Sequence, residues 1–243
     1  MSRRRRGPEG ARIRSLLGIA LAPTAVAVVF SAVAAVAGLS QNAQAAKYFL
    51  GAFVGYAVLH VLRILTCQRL YVFAHEFTHA LAAWATGGKV FAFVVRGQSG
   101  HVDLSHSNAF IALAPYWFPL YALASVVIYR LILFYGAAVP YAREGFLALM
   151  GASLAFHFAH TIEALWSTHQ SDLDEAGFPL SISLIVLLNG CVLLAAVKCL
   201  FPHLVSVPQS IRYVSEITGQ FWGGVRSLIV AGAELAMEKS GRW

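Results

Sequence analysis

The chain reads as an all-α membrane protein, a polytopic bundle of about six transmembrane helices with a small membrane-associated β-hairpin. Three observations predict this. Of 243 residues, 58% are hydrophobic and 12% charged, whereas soluble domains carry about 25% charged residues. The mean hydropathy is +0.67. Apolar runs able to cross a hydrocarbon core of about 30 Å recur along the chain.

The first fifteen residues form a basic N-terminus, with arginines at 3, 4, 5, 6, 12 and 14 against Glu9. The positive-inside rule places such a segment in the cytoplasm. No aromatic residue is interleaved with the arginines, so nucleic acid is not expected as a partner. Leu16 to Leu39 then runs 24 residues without a charge. The small residues of "SQNAQAAKY", Ala43 and Ala45, would suit a signal-peptide cleavage site. The run exceeds the 7–15 apolar residues usual in signal peptides, however, and an uncleaved first span is expected.

Further spans are expected at Tyr48–Thr66 and Leu70–Thr86, the latter stopped by Gly87-Gly88 in the manner of a helix C-cap. The pattern then changes. Lys89–Val95 is β-branched and aromatic, "RGQSG" is turn-like and His101–Leu104 alternates, which predicts a β-hairpin. Ala109–Gly136 is apolar but carries Pro115 and Pro119, which kink or break its first half. Gly145–Trp166 and Phe178–Phe201 follow, separated by the polar break "STHQSDLDEAGFP", and Asn189-Gly190 lies within the last run. Residues 202–243 form a tail whose spaced apolar residues predict an interfacial amphipathic helix from Gln209 onward. With no internal repeat, residues 16–201 form one membrane domain. Cys67, Cys191 and Cys199 have neither metal-site nor disulfide spacing and are expected to be buried small hydrophobes.

Chemistry concentrates in "FAHEFTHALAAWATGG", Phe73 to Gly88. On a helix His75 and His79 lie one above the other, and Glu76 sits about 100° round from His75. This is H-E-x-x-H, in which two imidazoles hold zinc and the glutamate takes a proton from water. Ionisable groups at bilayer depth are costly and usually functional, which favours Zn2+ over a pair of packed histidines. A catalytic zinc site needs a third protein ligand and an open position. Asp172 and Asp174 in the polar break are candidates, as are His157 and His160, three apart on one helix face. His60 and His101 stand isolated, and Asp103 lies close in sequence to His79.

H-E-x-x-H on a membrane helix, a hairpin, a proline-broken span and a later aspartate before an apolar segment resemble the site-2 protease family of intramembrane zinc metalloproteases. The likeness covers about Leu70 to Gly190. It implies ligand roles for His75 and His79, a distant aspartate as third ligand, and the base role for Glu76. Two features depart from the family pattern. Its Leu-Asp-Gly motif is replaced by Asp172-Leu173-Asp174-Glu175 with the glycine delayed to Gly177, and its Gly-Pro followed by Asn is reduced to Ala114-Pro115. The frame "Q-S-D-L…G" favours Asp172 over Asp174.

The expected activity is hydrolysis of a peptide bond in a membrane-embedded or juxtamembrane protein or peptide, with the lipid bilayer as surroundings. The alternatives are a non-enzymatic metal or haem carrier using His75, His79, His157 and His160, and a pseudoprotease scaffold. Six full spans would also place His75 and Asp172 at opposite membrane faces. The two can meet only if Ala109–Pro119 or Gly145–Trp166 is re-entrant, or if residues 167–177 dip into the bundle.

Overall fold

The computed structural model describes residues 8–136, 139–167 and 171–239. In chain order these form α1 (Pro8–Gly38), a 3-10 turn (Leu39–Asn42), α2 (Ala43–Val61), α3 (Gln68–Ala85), β1 (Val90–Arg96) and β2 (Ser99–Leu104). Then come α4 (Ala109–Trp117), α5 (Leu120–Phe134), α6 (Ala142–Ser167), α7 (Leu173–Ala176), α8 (Phe178–Leu200) and α9 (Val207–Lys239).

Two long pairings organise the bundle: α1 lies along α8, and α2 lies along α6. Glycine makes both close. A Cβ on Gly18 of α1 would stand 2.4 Å from the Leu180 nitrogen, and one on Gly190 of α8 would stand 2.8 Å from Val28. The Ser183 hydroxyl donates to the Gly18 carbonyl at 2.8 Å. In the second pair, a Cβ on Gly151 would stand 2.1 Å from the Phe49 carbonyl oxygen. Small residues let helix backbones touch where no hydrophobic effect drives helices together in lipid. Around these contacts Leu39, Phe49, Leu154 and Val197 form the largest buried apolar cluster.

Among the described residues, three helices are long and apolar enough to cross a membrane: Glu9–Gln41, Ala142–Trp166 and Phe178–Leu200. A fourth crossing arises if α4 and α5, bent by 69° at their junction, count as one broken span. The second and third expected spans are not among these. The second run forms a helix that ends at Val61, before the expected Thr66, and the chain leaves it through Arg63 in the left-handed region at φ 59°. The third, α3, carries Arg69, His75, Glu76 and His79 and is not apolar enough.

Other differences are local. Residues 8–15 form the first turns of α1, and Arg3 to Arg6 lie outside the described residues. Cys67 is half-buried, while Cys191 and Cys199 are exposed in a cleft that α8 forms with α9. An apolar cleft suits a small hydrophobe as well as a core does, so composition did not distinguish the two. The hairpin forms as expected, antiparallel with Arg96 opposite Ser99 and Gly97 turning at φ 61°. Its register shifts between Val90 and Ala92. The tail is helical as α9, which rests on α1.

Substituting Gly151→Ala should destabilise the protein by about 1–3 kcal/mol, since neither helix backbone can yield cheaply. Gly145→Ala, with open space around it, should be neutral or stabilising by up to about 1 kcal/mol. Thermal unfolding of both variants in detergent checks the contrast; equal effects would refute the backbone contact.

Candidate metal centre

Helix α3 begins after Cys67, itself left-handed at φ 49°, and ends in a complete Schellman motif. The Gly87 amide donates to Trp84 at 3.1 Å and the Gly88 amide to Ala83 at 2.7 Å. Gly87 takes the left-handed conformation, φ 76°, that this ending requires. Between these stops the helix sets His75 and His79 on one face, their Nε2 atoms 3.3 Å apart.

The rings are held by their other nitrogens. His79 Nδ1 donates to the Ile111 carbonyl at 2.9 Å. That carbonyl is available because Pro115, four residues on in α4, has no amide hydrogen to return to it. Nδ1 of His75 lies 3.4 Å from the Tyr71 hydroxyl, which can accept its proton. In the neutral tautomers these contacts favour, both Nε2 atoms keep a lone pair for a metal.

The third corner comes from the polar break. The short helix α7 packs Leu173 and Ala176 into an apolar cluster with Leu113, Tyr116, Ala164 and Ile185. The Ser181 hydroxyl donates to the Leu173 carbonyl at 2.9 Å. Asp172, at the start of this segment, is thereby carried to α3. Its Oδ2 lies 3.5 Å from His75 Nε2 and 3.4 Å from His79 Nε2. The Tyr116 hydroxyl donates to the same oxygen at 3.1 Å.

Tyr116 is held in turn. The helix break at Pro119 leaves the Tyr116 carbonyl without its intrahelical partner, and the Asn189 side-chain amide donates to it at 2.8 Å. The same amide group donates to Ile185, while Asn189 Oδ1 faces His157 Nε2 at 3.1 Å. Sequence inspection singled out neither Tyr116 nor this role for Asn189. The only signal was a polar side chain, Asn189, in the middle of an apolar run, where it has to find partners inside the protein.

Burial alone would raise the Asp172 carboxyl. When the two rings are instead protonated, hydrogen bonding and charge from His75 and His79 more than reverse this and hold it well below the usual carboxylate range. Asp172 is therefore an anion at neutral pH. Its stabilising contribution is full above the ordinary Asp range, near about pH 4, and is lost on further acidification.

Three atoms separated by 3.3, 3.4 and 3.5 Å share a point about 2.0 Å from each. That is the Zn–N and Zn–O bond length, so the donor set and its spacing fit zinc. Two imidazoles and one carboxylate leave a tetrahedral ion one open position.

Glu76 lines a cleft of about 370 Å³ together with His75, Gln68, Gln98, Ser99 and Glu163. Gly100 of β2 presses on it: a Cβ there would stand 2.7 Å from Glu76 Cγ and 2.8 Å from Val72. The hairpin thus sits directly against the glutamate.

The other sequence candidates lie elsewhere. Asp174 is exposed and outside the triangle, and Asp103 is exposed on β2. His157 binds Asn189, and His160 Nε2 donates to the Thr66 carbonyl at 2.6 Å. Among the described residues the four histidines of the haem-carrier alternative do not form one ligand group. In the described part of the polar break Asp172 reaches α3, and α4 meets α5 at a 69° bend. No protein-family model matches the chain, and neither does a curated protein or a solved structure.

Zinc titration of full-length variants should rank these residues. Asp172→Asn should weaken binding by at least about 10–100-fold and Tyr116→Phe by up to that range, with Asp174→Asn matching the wild type. Pro115→Ala should weaken binding severalfold without loss of fold, because the new amide competes with His79 for Ile111. A larger loss in Asp174→Asn than in Asp172→Asn would contradict the triangle.

Proposed function

We propose that this chain is a multi-pass integral-membrane zinc metallopeptidase of site-2 protease type, its basic N-terminus in the cytoplasm. It hydrolyses a peptide bond of a membrane-embedded or juxtamembrane substrate. One observation carries the proposal. The Nε2 atoms of His75 and His79 and Oδ2 of Asp172 form a triangle of zinc-ligand dimensions on helix α3, which presents Glu76 to an open polar cleft. The resemblance in the H-E-x-x-H segment and the later aspartate agrees with it.

His75, His79 and Asp172 hold the ion, oriented by Tyr71, the Ile111 carbonyl and Tyr116 respectively. Bound there, zinc supplies Lewis acidity toward the scissile carbonyl and toward the attacking water. Glu76 takes the proton of that water and delivers it to the leaving amine. Apolar helices shelter the site, while the cleft admits water.

A transmembrane substrate satisfies its backbone within its own helix, so the segment to be cut has to unwind. The unwound strand then needs new hydrogen-bond partners. Strand β2 belongs to a two-stranded sheet, and its first residues, Ser99 and Gly100, line the cleft beside Glu76. Its outer edge can accept an added strand. That strand would run past the glutamate.

Glu76→Gln should retain zinc and fold but lose cleavage of a membrane-peptide substrate by about 10²–10⁴-fold, since an amide accepts no proton. Undiminished cleavage would remove Glu76 as base. Gly100→Val should also impair cleavage, with zinc content unchanged, by displacing the Glu76 side chain. Wild-type turnover in that variant would show that the hairpin contact does not position the base.

A further inference from the structure

A second group of ligand-type side chains converges outside the triangle: His60 of α2 with His160 and Glu163 of α6. His60 is 6% exposed and His160 is 2% exposed. Glu163 Oε2 lies 3.3 Å from His60 Nε2 and 3.8 Å from His160 Nδ1. The other carboxylate oxygen, Oε1, is taken by Arg63.

The proton positions make this arrangement informative. His160 Nε2 donates to the Thr66 carbonyl, which can only accept, so in the neutral ring Nδ1 bears a lone pair. That lone pair faces Glu163 Oε2, another acceptor, which is buried and makes no hydrogen bond among the described residues. His60 Nδ1 is likewise buried without one, so no hydrogen bond through that nitrogen fixes the ring. Acceptors turned toward one another in a buried space repel unless a cation stands between them, and a buried unsatisfied polar atom costs about 1–3 kcal/mol.

We propose that His60, His160 and Glu163 form a second divalent-metal site, separate from the H-E-x-x-H centre. Two imidazoles and a carboxylate suit zinc. Arg63 completes the set by anchoring the carboxylate oxygen that faces away from the histidines, as outer partners of ligating carboxylates do. The site stands in the wall between two clefts. Glu163 and His160 border the polar cleft that holds Glu76, and Glu163 and His60 border an apolar cleft of about 610 Å³ between α2 and α6. A metal here fastens α2 to α6 beside the left-handed turn at Arg63. It also steadies the face of Tyr71, whose ring stacks on His160 at 4.7 Å and whose hydroxyl meets His75. None of its ligands belongs to the first site, so it stands or falls independently of the proteolytic function.

The test uses full-length protein without a histidine tag, in detergent, carrying His75→Ala and His79→Ala to abolish the first centre. After dialysis against micromolar zinc, this background should hold about one zinc per chain. Adding Glu163→Gln or His60→Gln should weaken that binding by at least about tenfold. Cobalt(II) loaded into the background should give visible d–d absorption that Glu163→Gln removes. A folded background that binds no zinc would overturn the proposal, as would zinc binding indifferent to both further substitutions. Should Glu163→Gln fail to fold, His60→Gln decides alone. Loss of cleavage in the background with zinc retained would be the signature of two separate sites.

Discussion

Polar groups inside an apolar bundle have to find their partners in the protein, and this constraint orders the interior. Asp172 is the clearest case. It meets His75 and His79 because Leu173 and Ala176 anchor α7 among apolar side chains and Tyr116 supplies a hydroxyl. Tyr116 depends on α4 ending where it does, since its carbonyl, freed at Pro119, is satisfied by Asn189. Asn189 in turn binds His157. A chain of satisfied hydrogen bonds thus links α8, α6 and α4 to the triangle.

Proline has two distinct uses in α4 and its junction. At position 119 it breaks the helix and turns the chain by 69°. At position 115 it lies inside the helix and costs one backbone hydrogen bond, the one Ile111 would have accepted. His79 takes that place. The proline thus frees a carbonyl that fixes the tautomer and the ring of His79.

Around this core the helices approach as closely as backbones allow. Gly18 and Gly190 bring α1 onto α8, and Gly151 brings α2 onto α6. The second pairing also sets His60 opposite His160 and Glu163, a group of ligand-type side chains beside His75. Tyr71 stands between the two, its ring against one and its hydroxyl against the other.

What was legible in the sequence was local. The i, i+4 histidines with Glu76 beside them, the Gly87-Gly88 stop, the two-residue alternation of the hairpin and the break at Pro119 all follow from helix and strand periods and from backbone chemistry. The apolar composition determined a helical chain with segments able to cross a membrane. The tertiary structure decided what depends on distant residues meeting. It joined Asp172 rather than Asp174 to the histidines, because α7 buries Leu173 and leaves Asp174 exposed. It ended the second expected helix at Val61 and began the third at Gln68, and it left Cys191 and Cys199 exposed in a cleft between α8 and α9. It brought His60, isolated in sequence, to His160 and Glu163. Periodicity reports which face of an element a residue occupies but not what packs against that face. In an apolar chain both faces look alike, so only the packing itself selects the partner.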